Sequence, residues 1–260
     1  MLKKRLIFTL LYQKKNFYLS RNFRLQKIGD IRWLKKNYNF TLLTRCVDEI
    51  ILLDVSREKQ DLKDFVNIIK KISEDCFIPL SVGGKINSLD KAKHYMDAGA
   101  DKLVINTSLL NLKLVEKISK TFGEQCLVGA LDYKNINKKI IIYTKNGTNP
   151  LNIKINSILK KISKFSLGEI ILNSIDRDGT GFGFDYEILE KITNQFNKPI
   201  IFSGGAGNYK HLLEAFMHNK IDSIATANLL NFVGDGLQDA REQIIRNGIS
   251  LAKWRSFQNG

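Results

Sequence analysis

Short apolar, β-branched runs alternate along the chain with longer stretches in which apolar residues recur at helical spacing. The runs are Leu6–Leu11, Glu49–Asp54, Ile78–Val82, Lys102–Asn106, Cys126–Asp132, Glu169–Ser174, Pro199–Ser203 and Asp222–Thr226. Near-continuous apolar runs of this length suit strands buried on both faces. Between them, stretches such as Asp61–Ser73, Ser88–Ala98, Leu112–Phe122, Asn152–Phe165 and Tyr209–His218 suit amphipathic helices. This alternation predicts the α/β class with a parallel sheet. Eight strand–helix units in 260 residues predict a (β/α)8 TIM barrel, which typically needs about 250, as a single domain over residues 1–260. Gly99, Gly123 and Gly168 stand where C-terminal helix caps are expected. The lysine-rich stretch Tyr133–Asn149, with Gly147, breaks the alternation and predicts a hairpin beyond the fifth strand.

The pattern also repeats. A shift of 120 residues lays EIIL at Glu49–Leu52 over EIIL at Glu169–Leu172, and Pro79 over Pro199. One residue more lays Gly83-Gly84 over Gly204-Gly205 and Asp101 over Asp222. An offset this steady predicts two half-barrels of four units each. It also sets Leu11, at the end of the first strand, opposite Asp132, at the end of the fifth. Catalytic groups of such barrels sit at the C-terminal ends of strands. One half thus offers a carboxylate at the mouth, and the other a hydrocarbon.

Composition changes this picture little. No apolar segment approaches the roughly 20 residues of a membrane span. Lys3, Lys4 and Arg5 precede an apolar run, as in a signal peptide, but Lys14 and Lys15 interrupt it without a small-x-small site. A buried first strand and a cytoplasmic location are expected. A formal charge of +15 raises nucleic acid as a partner. The lysines are nevertheless scattered among asparagine and isoleucine, with no nucleic-acid-binding signature, and phosphorylated small molecules would tolerate the same field. Cys46, Cys76 and Cys126 are widely spaced and read as reduced core thiols. His94, His211 and His218 lack a neighbouring ligand, so no metal or cofactor is expected.

Two loops carry candidate chemistry. Ser203-Gly204-Gly205-Ala206-Gly207 follows the seventh strand, where barrels commonly bind phosphate through backbone N–H groups. Asp176-Arg177-Asp178-Gly179-Thr180-Gly181 follows the sixth and adds a carboxylate and a hydroxyl; it would also serve as a plain Asp-Gly turn. In the first half, Val82-Gly83-Gly84-Lys85 and Asn106-Thr107-Ser108 form a second candidate phosphate site, with Lys85 where a third glycine would stand.

The segments ILNSIDRDGTGFGFD (Ile171–Asp185), IIFSGGAG (Ile200–Gly207), GADKLVINTS (Gly99–Ser108) and KRLIFTL (Lys4–Leu10) closely resemble the HisF family, the cyclase subunits of imidazole glycerol-phosphate synthase. The resemblance runs nearly end to end. It implies that a HisH-like glutaminase docks on the barrel bottom and releases ammonia. The ammonia would cross the barrel core to a phosphorylated ribulose substrate at the top. By the same resemblance Asp132 is the catalytic acid. Asp178, Gly179, Gly204, Gly205 and Asn228 would hold one phosphate, although the family usually has Ser at the position of Asn228. Gly84, Asn106 and Thr107 would hold the other.

Besides Asn228 and Lys85, two further positions depart from the family: Leu11 stands for its second catalytic aspartate and Leu19 for a substrate-holding lysine. Neither Lys14 nor Asp30 has the spacing to replace that aspartate. The family's ammonia gate, in contrast, matches at Arg5, Glu49, Lys102 and Glu169, and its glutaminase contact at Asp101. Alternating charges at strand beginnings would also serve simply as an ion-pair ring closing the barrel.

This profile resembles the HisF-like proteins of surface-polysaccharide gene clusters, which pass ammonia towards a sugar amidotransferase. Leu10-Leu11-Tyr12 and Asn22-Phe23 fit that subset. The other readings are an ordinary cyclase subunit with an unusual first strand and a silent phosphate-binding scaffold.

Overall fold

The computed structural model describes residues 3–37, 43, 46–192, 196–227 and 236–252. Its centre is a closed ring of eight parallel strands. These are β1 (Arg5–Gln13), β2 (Glu49–Asp54), β3 (Leu80–Gly83), β4 (Lys102–Ile105), β5 (Leu127–Ile136), β6 (Glu169–Ser174), β7 (Ile200–Ser203) and β8 (Ser223–Thr226). Each pairs with the next, and β8 returns to β1 through Arg5↔Ser223 to Phe8↔Thr226. The predicted (β/α)8 barrel is present.

Side chains alternate across each strand, and the two faces have separate cores. Ile7, Ile51, Val104, Val128, Ala130, Ile171, Ile201 and Ala225 fill the barrel. Leu6, Phe8, Ile50, Leu52, Leu103 and their neighbours pack outward against the helices. The helix Leu62–Asp75 shows how the outer layer forms: Asp61 caps it by accepting from the Asp64 N–H at 3.0 Å. Its buried face is Phe65, Ile68, Ile69 and Ile72, a helical spacing worth about 1.5–3 kcal/mol for each side chain withdrawn from water.

The repeat is visible in three dimensions. Val55 N–H donates to the Tyr12 carbonyl at 2.9 Å, and 120 residues on Ile175 N–H donates to that of Tyr133 at 2.8 Å. Asp101 Oδ2 accepts from Leu80 N–H at 2.8 Å, and Asp222 Oδ2 accepts from Ile200 N–H at 2.9 Å.

The structure corrects the sequence reading at four places. The predicted helix Asn152–Phe165 is shorter, Ile155–Ile162, and is capped by Ser163. Gly168 therefore caps no helix; its N–H donates to the Leu127 carbonyl at the entry to β6. The fifth strand does not stop at Asp132 but runs to Ile136 and turns into an antiparallel arm, Lys139–Thr144, followed by Asn149–Pro150. The hairpin is no exception either, because the first half carries one of its own. There β1 continues through Gln13 into Asn16–Arg21, which pairs with Arg24–Gly29. Gly99 and Gly123, both at positive φ, do end their helices.

Among the described residues no helix is long and apolar enough to cross a membrane.

Candidate active site and basal charge ring

The beginnings of four barrel strands point charged side chains into one ring. Arg5 donates to Glu49 Oε2 at 2.7 Å and also pairs with Glu169; Lys102 Nζ lies 2.8 Å from Glu49 Oε2 and 2.8 Å from Glu169 Oε1. Each carboxylate thus bridges both cations. Ser81 Oγ donates to the remaining oxygen of Glu49 at 2.5 Å. Both carboxylates are nearly inaccessible, at 1% for Glu49 and 6% for Glu169. Burial alone would raise the Glu169 carboxyl, but hydrogen bonds and charge from Arg5, then Lys102, hold it below its ordinary value. The structure brings together the four residues that the family resemblance matched to a gate. Asp101 lies at the same end and is exposed, with one oxygen tied to the Leu80 N–H.

Beyond the apolar layer, at the opposite end, lies Asp132. Its two oxygens accept from the Asn106 and Asn173 amides, each at 3.1 Å. Asn173 was not singled out in the sequence; its inward position on β6 beside Asp132 in the β5–β6 register is what identifies it. Protein surrounds Asp132 on most sides while one edge stays open. That burial pushes its carboxyl up to about 7, against the stabilising Asn173 amide and with a further contribution from the charge of Asp178. A carboxyl poised there can give or take a proton near neutral pH.

The matching position in the other half, Leu11, is buried at 9% exposure and pairs with Leu53 and Tyr18. Neither polar neighbour replaces a carboxylate there. Lys14 pairs with Glu58 on the surface at 2.6 Å, and Asp30 caps a short helix through the Trp33 N–H.

The candidate phosphate residues meet the rest of the protein first. Gly84, Gly204 and Gly205 all have positive φ. Gly205 is packed so tightly that a Cβ would lie 2.1 Å from the Gly183 carbonyl. Gly205→Ala is expected to cost about 2–4 kcal/mol in urea denaturation, from backbone strain plus overpacking.

Asp178 directs its carboxylate at the first hairpin and not into open space. It accepts from Ser20 Oγ at 2.5 Å and from Phe23 N–H at 3.0 Å. Gly179 is beneath the same hairpin, where a Cβ would meet the Ser20 carbonyl. Asn106 is committed to Asp132 and to the Ala130 carbonyl, while Thr107 Oγ1 accepts from Lys145 N–H at 3.1 Å. Lys85, at positive φ, donates to the Glu58 carbonyl. Leu19 is half-buried on the first hairpin. Asn228 lies outside the described residues. Among those described, no cluster of three His, Cys, Asp or Glu could hold a metal ion.

Comparison with known proteins shows the family. The family model "Histidine biosynthesis protein" matches residues 33–234. A protein provisionally named imidazole glycerol phosphate synthase subunit hisF2, from Parasynechococcus marenigrum strain WH8102, is 45% identical over 98% of this chain and 95% of its own. Imidazole glycerol phosphate synthase subunits HisF of Chlorobaculum parvum and Chlorobium phaeobacteroides are 34% and 35% identical, each over 87% of this chain and 89% of their own. The chain belongs to the histidine biosynthesis protein family, in its HisF branch.

Proposed function

We propose that this barrel receives ammonia from a HisH-like glutaminase at its charge ring and passes it to the mouth at Asp132, for amidation of a nucleotide-linked sugar in surface-polysaccharide synthesis. One contrast carries the reading: the four-charge ring is complete, whereas of the two matching strand-end positions at the mouth only Asp132 is a carboxylate and the other is Leu11. The family's cyclisation needs an acid and a base on opposite sides of one substrate, and such groups contribute about 10²–10⁴-fold each. Leucine exchanges no proton. The apolar layer of Ile7, Ile51, Val104, Val128, Ile171 and Ile201 above the ring would pass neutral ammonia and hold back ammonium, whose desolvation there is far more costly.

The names of the HisF relatives favour a second reading, in which the chain is itself a cyclase subunit of histidine biosynthesis. Complementation separates the two. Expression in a histidine auxotroph lacking the cyclase subunit is expected to give no growth without histidine; growth would refute the conduit-only reading. A silent scaffold is the third possibility, and it predicts no effect of Arg5 or Lys102 on any glutaminase.

A further inference from the structure

Two hairpins meet over the barrel mouth, and matching asparagines fasten them there. At the tip of the first, Asn22 Nδ2 donates to the carbonyls of Ile175 at 3.2 Å and Asp176 at 2.8 Å, in the loop after β6. At the tip of the second, Asn146 Nδ2 donates to the carbonyls of Val55 at 3.2 Å and Ser56 at 3.4 Å, in the loop after β2. The two receiving pairs are 120 residues apart, the spacing of the half-barrel repeat. Each hairpin therefore crosses the mouth and docks on the opposite half.

Both asparagines have positive φ, 52° for Asn22 and 56° for Asn146. Asparagine tolerates that region while keeping an amide able to bridge two carbonyls, which glycine lacks. The tips also touch, since a Cβ on Gly147 would lie 2.6 Å from the Phe23 ring. Each hairpin has a second anchor close to Asp132: Asp178 holds Ser20 and Phe23, and Thr107 holds Lys145. The anchors belong to loops that line the mouth, so the hairpins cannot lift without disturbing them.

We propose that Asn22 and Asn146 are paired latches of a two-leaf roof that controls access to Asp132, and that releasing one leaf loosens the other. Neither part depends on what the mouth binds or on ammonia transfer.

The test is chemical labelling of Asp132 by a water-soluble carbodiimide with glycine amide, mapped by mass spectrometry. Asp101, at the far end of the barrel, is the internal reference. Asn22→Asp and Asn146→Asp keep the size and the positive φ but remove the donor. Each is expected to raise Asp132 labelling several-fold, and the double variant by about tenfold or more, as expected when a closed state loses two hydrogen bonds of ordinary strength. Asp101 should not change. Brief trypsin treatment reads the coupling: Asn22→Asp should speed cleavage after Lys145, and Asn146→Asp cleavage after Arg21. Asn22→Gly and Asn146→Gly should act alike if the amide, and not an introduced charge, is the latch. Unchanged Asp132 labelling in folded double variants would overturn the roof, and cleavage enhanced only within the altered hairpin would overturn the coupling. Glutaminase coupling through Arg5 and Lys102 is a separate readout, so a failure here leaves the conduit reading standing.

Discussion

Arg5→Ala is expected to destabilise the protein by about 3–5 kcal/mol, the usual cost of leaving a buried charge without its partner. Two nearly inaccessible carboxylates would then share Lys102 alone, with only Ser81 left to help Glu49. The midpoint of urea denaturation should fall with little change in slope, because the unfolded surface is unchanged. Adding Glu169→Gln to Arg5→Ala should recover part of the loss, since it removes one of the uncompensated charges. A loss below about 1 kcal/mol, the range of a solvated surface pair, would show that the ring is wet and does not seal the barrel.

The second large effect concerns pH. The Asp132 carboxyl lies at about 7 in the folded protein against an ordinary value of 3.8. Between those values the folded state holds a proton that the unfolded state has released. Stability contributed by this group is complete below pH 4 and is lost as pH rises through 7. Three units of difference correspond to up to about 4 kcal/mol. In Asp132→Asn that part of the slope should vanish, so the difference between variant and parent grows in favour of the variant from pH 4 to pH 8. Chemical denaturation at several pH values measures it. Asp178 is also raised by burial and Glu169 is lowered by Arg5. Only the difference between the two proteins isolates Asp132. Parallel curves would mean that Asp132 is hydrated and ordinary.

The barrel was legible because buried parallel strands announce themselves as apolar runs, and because a duplicated chain keeps its spacing. The ring was legible through the family resemblance, which matched Arg5, Glu49, Lys102 and Glu169 to a gate; the structure adds that all four open their strands. The hairpins were harder. Three of their tight turns are Lys14-Lys15, Asn22-Phe23 and Asn137-Lys138, all at positive φ. Turns of that kind ordinarily advertise themselves through glycine, and these contain none. The first hairpin therefore left no signal, and the second was noticed only through its length and Gly147.

The mouth was half legible. Asp132 and Leu11 followed from the repeat, but Asn173 did not, because an asparagine inside a strand has no pattern of its own. Nor could spacing reveal that Asp178 and Thr107, which resemble phosphate ligands, already hold the two hairpins. Gly168 misled for an opposite reason: a glycine near a helix end resembles a cap, yet here the chain needed a turn into the next strand.

The central claim is that ammonia enters through the ring. Its most direct test mixes the purified chain with a HisH-like glutaminase and measures complex formation and glutamine hydrolysis. Wild type is compared with Lys102→Met and with Arg5→Ala/Lys102→Met, under conditions where each is folded. The account predicts a stable complex in every case, with glutamine turnover altered several-fold in the variants because the passage from glutaminase to barrel is changed. Absence of a complex, or turnover identical in all three, would contradict it.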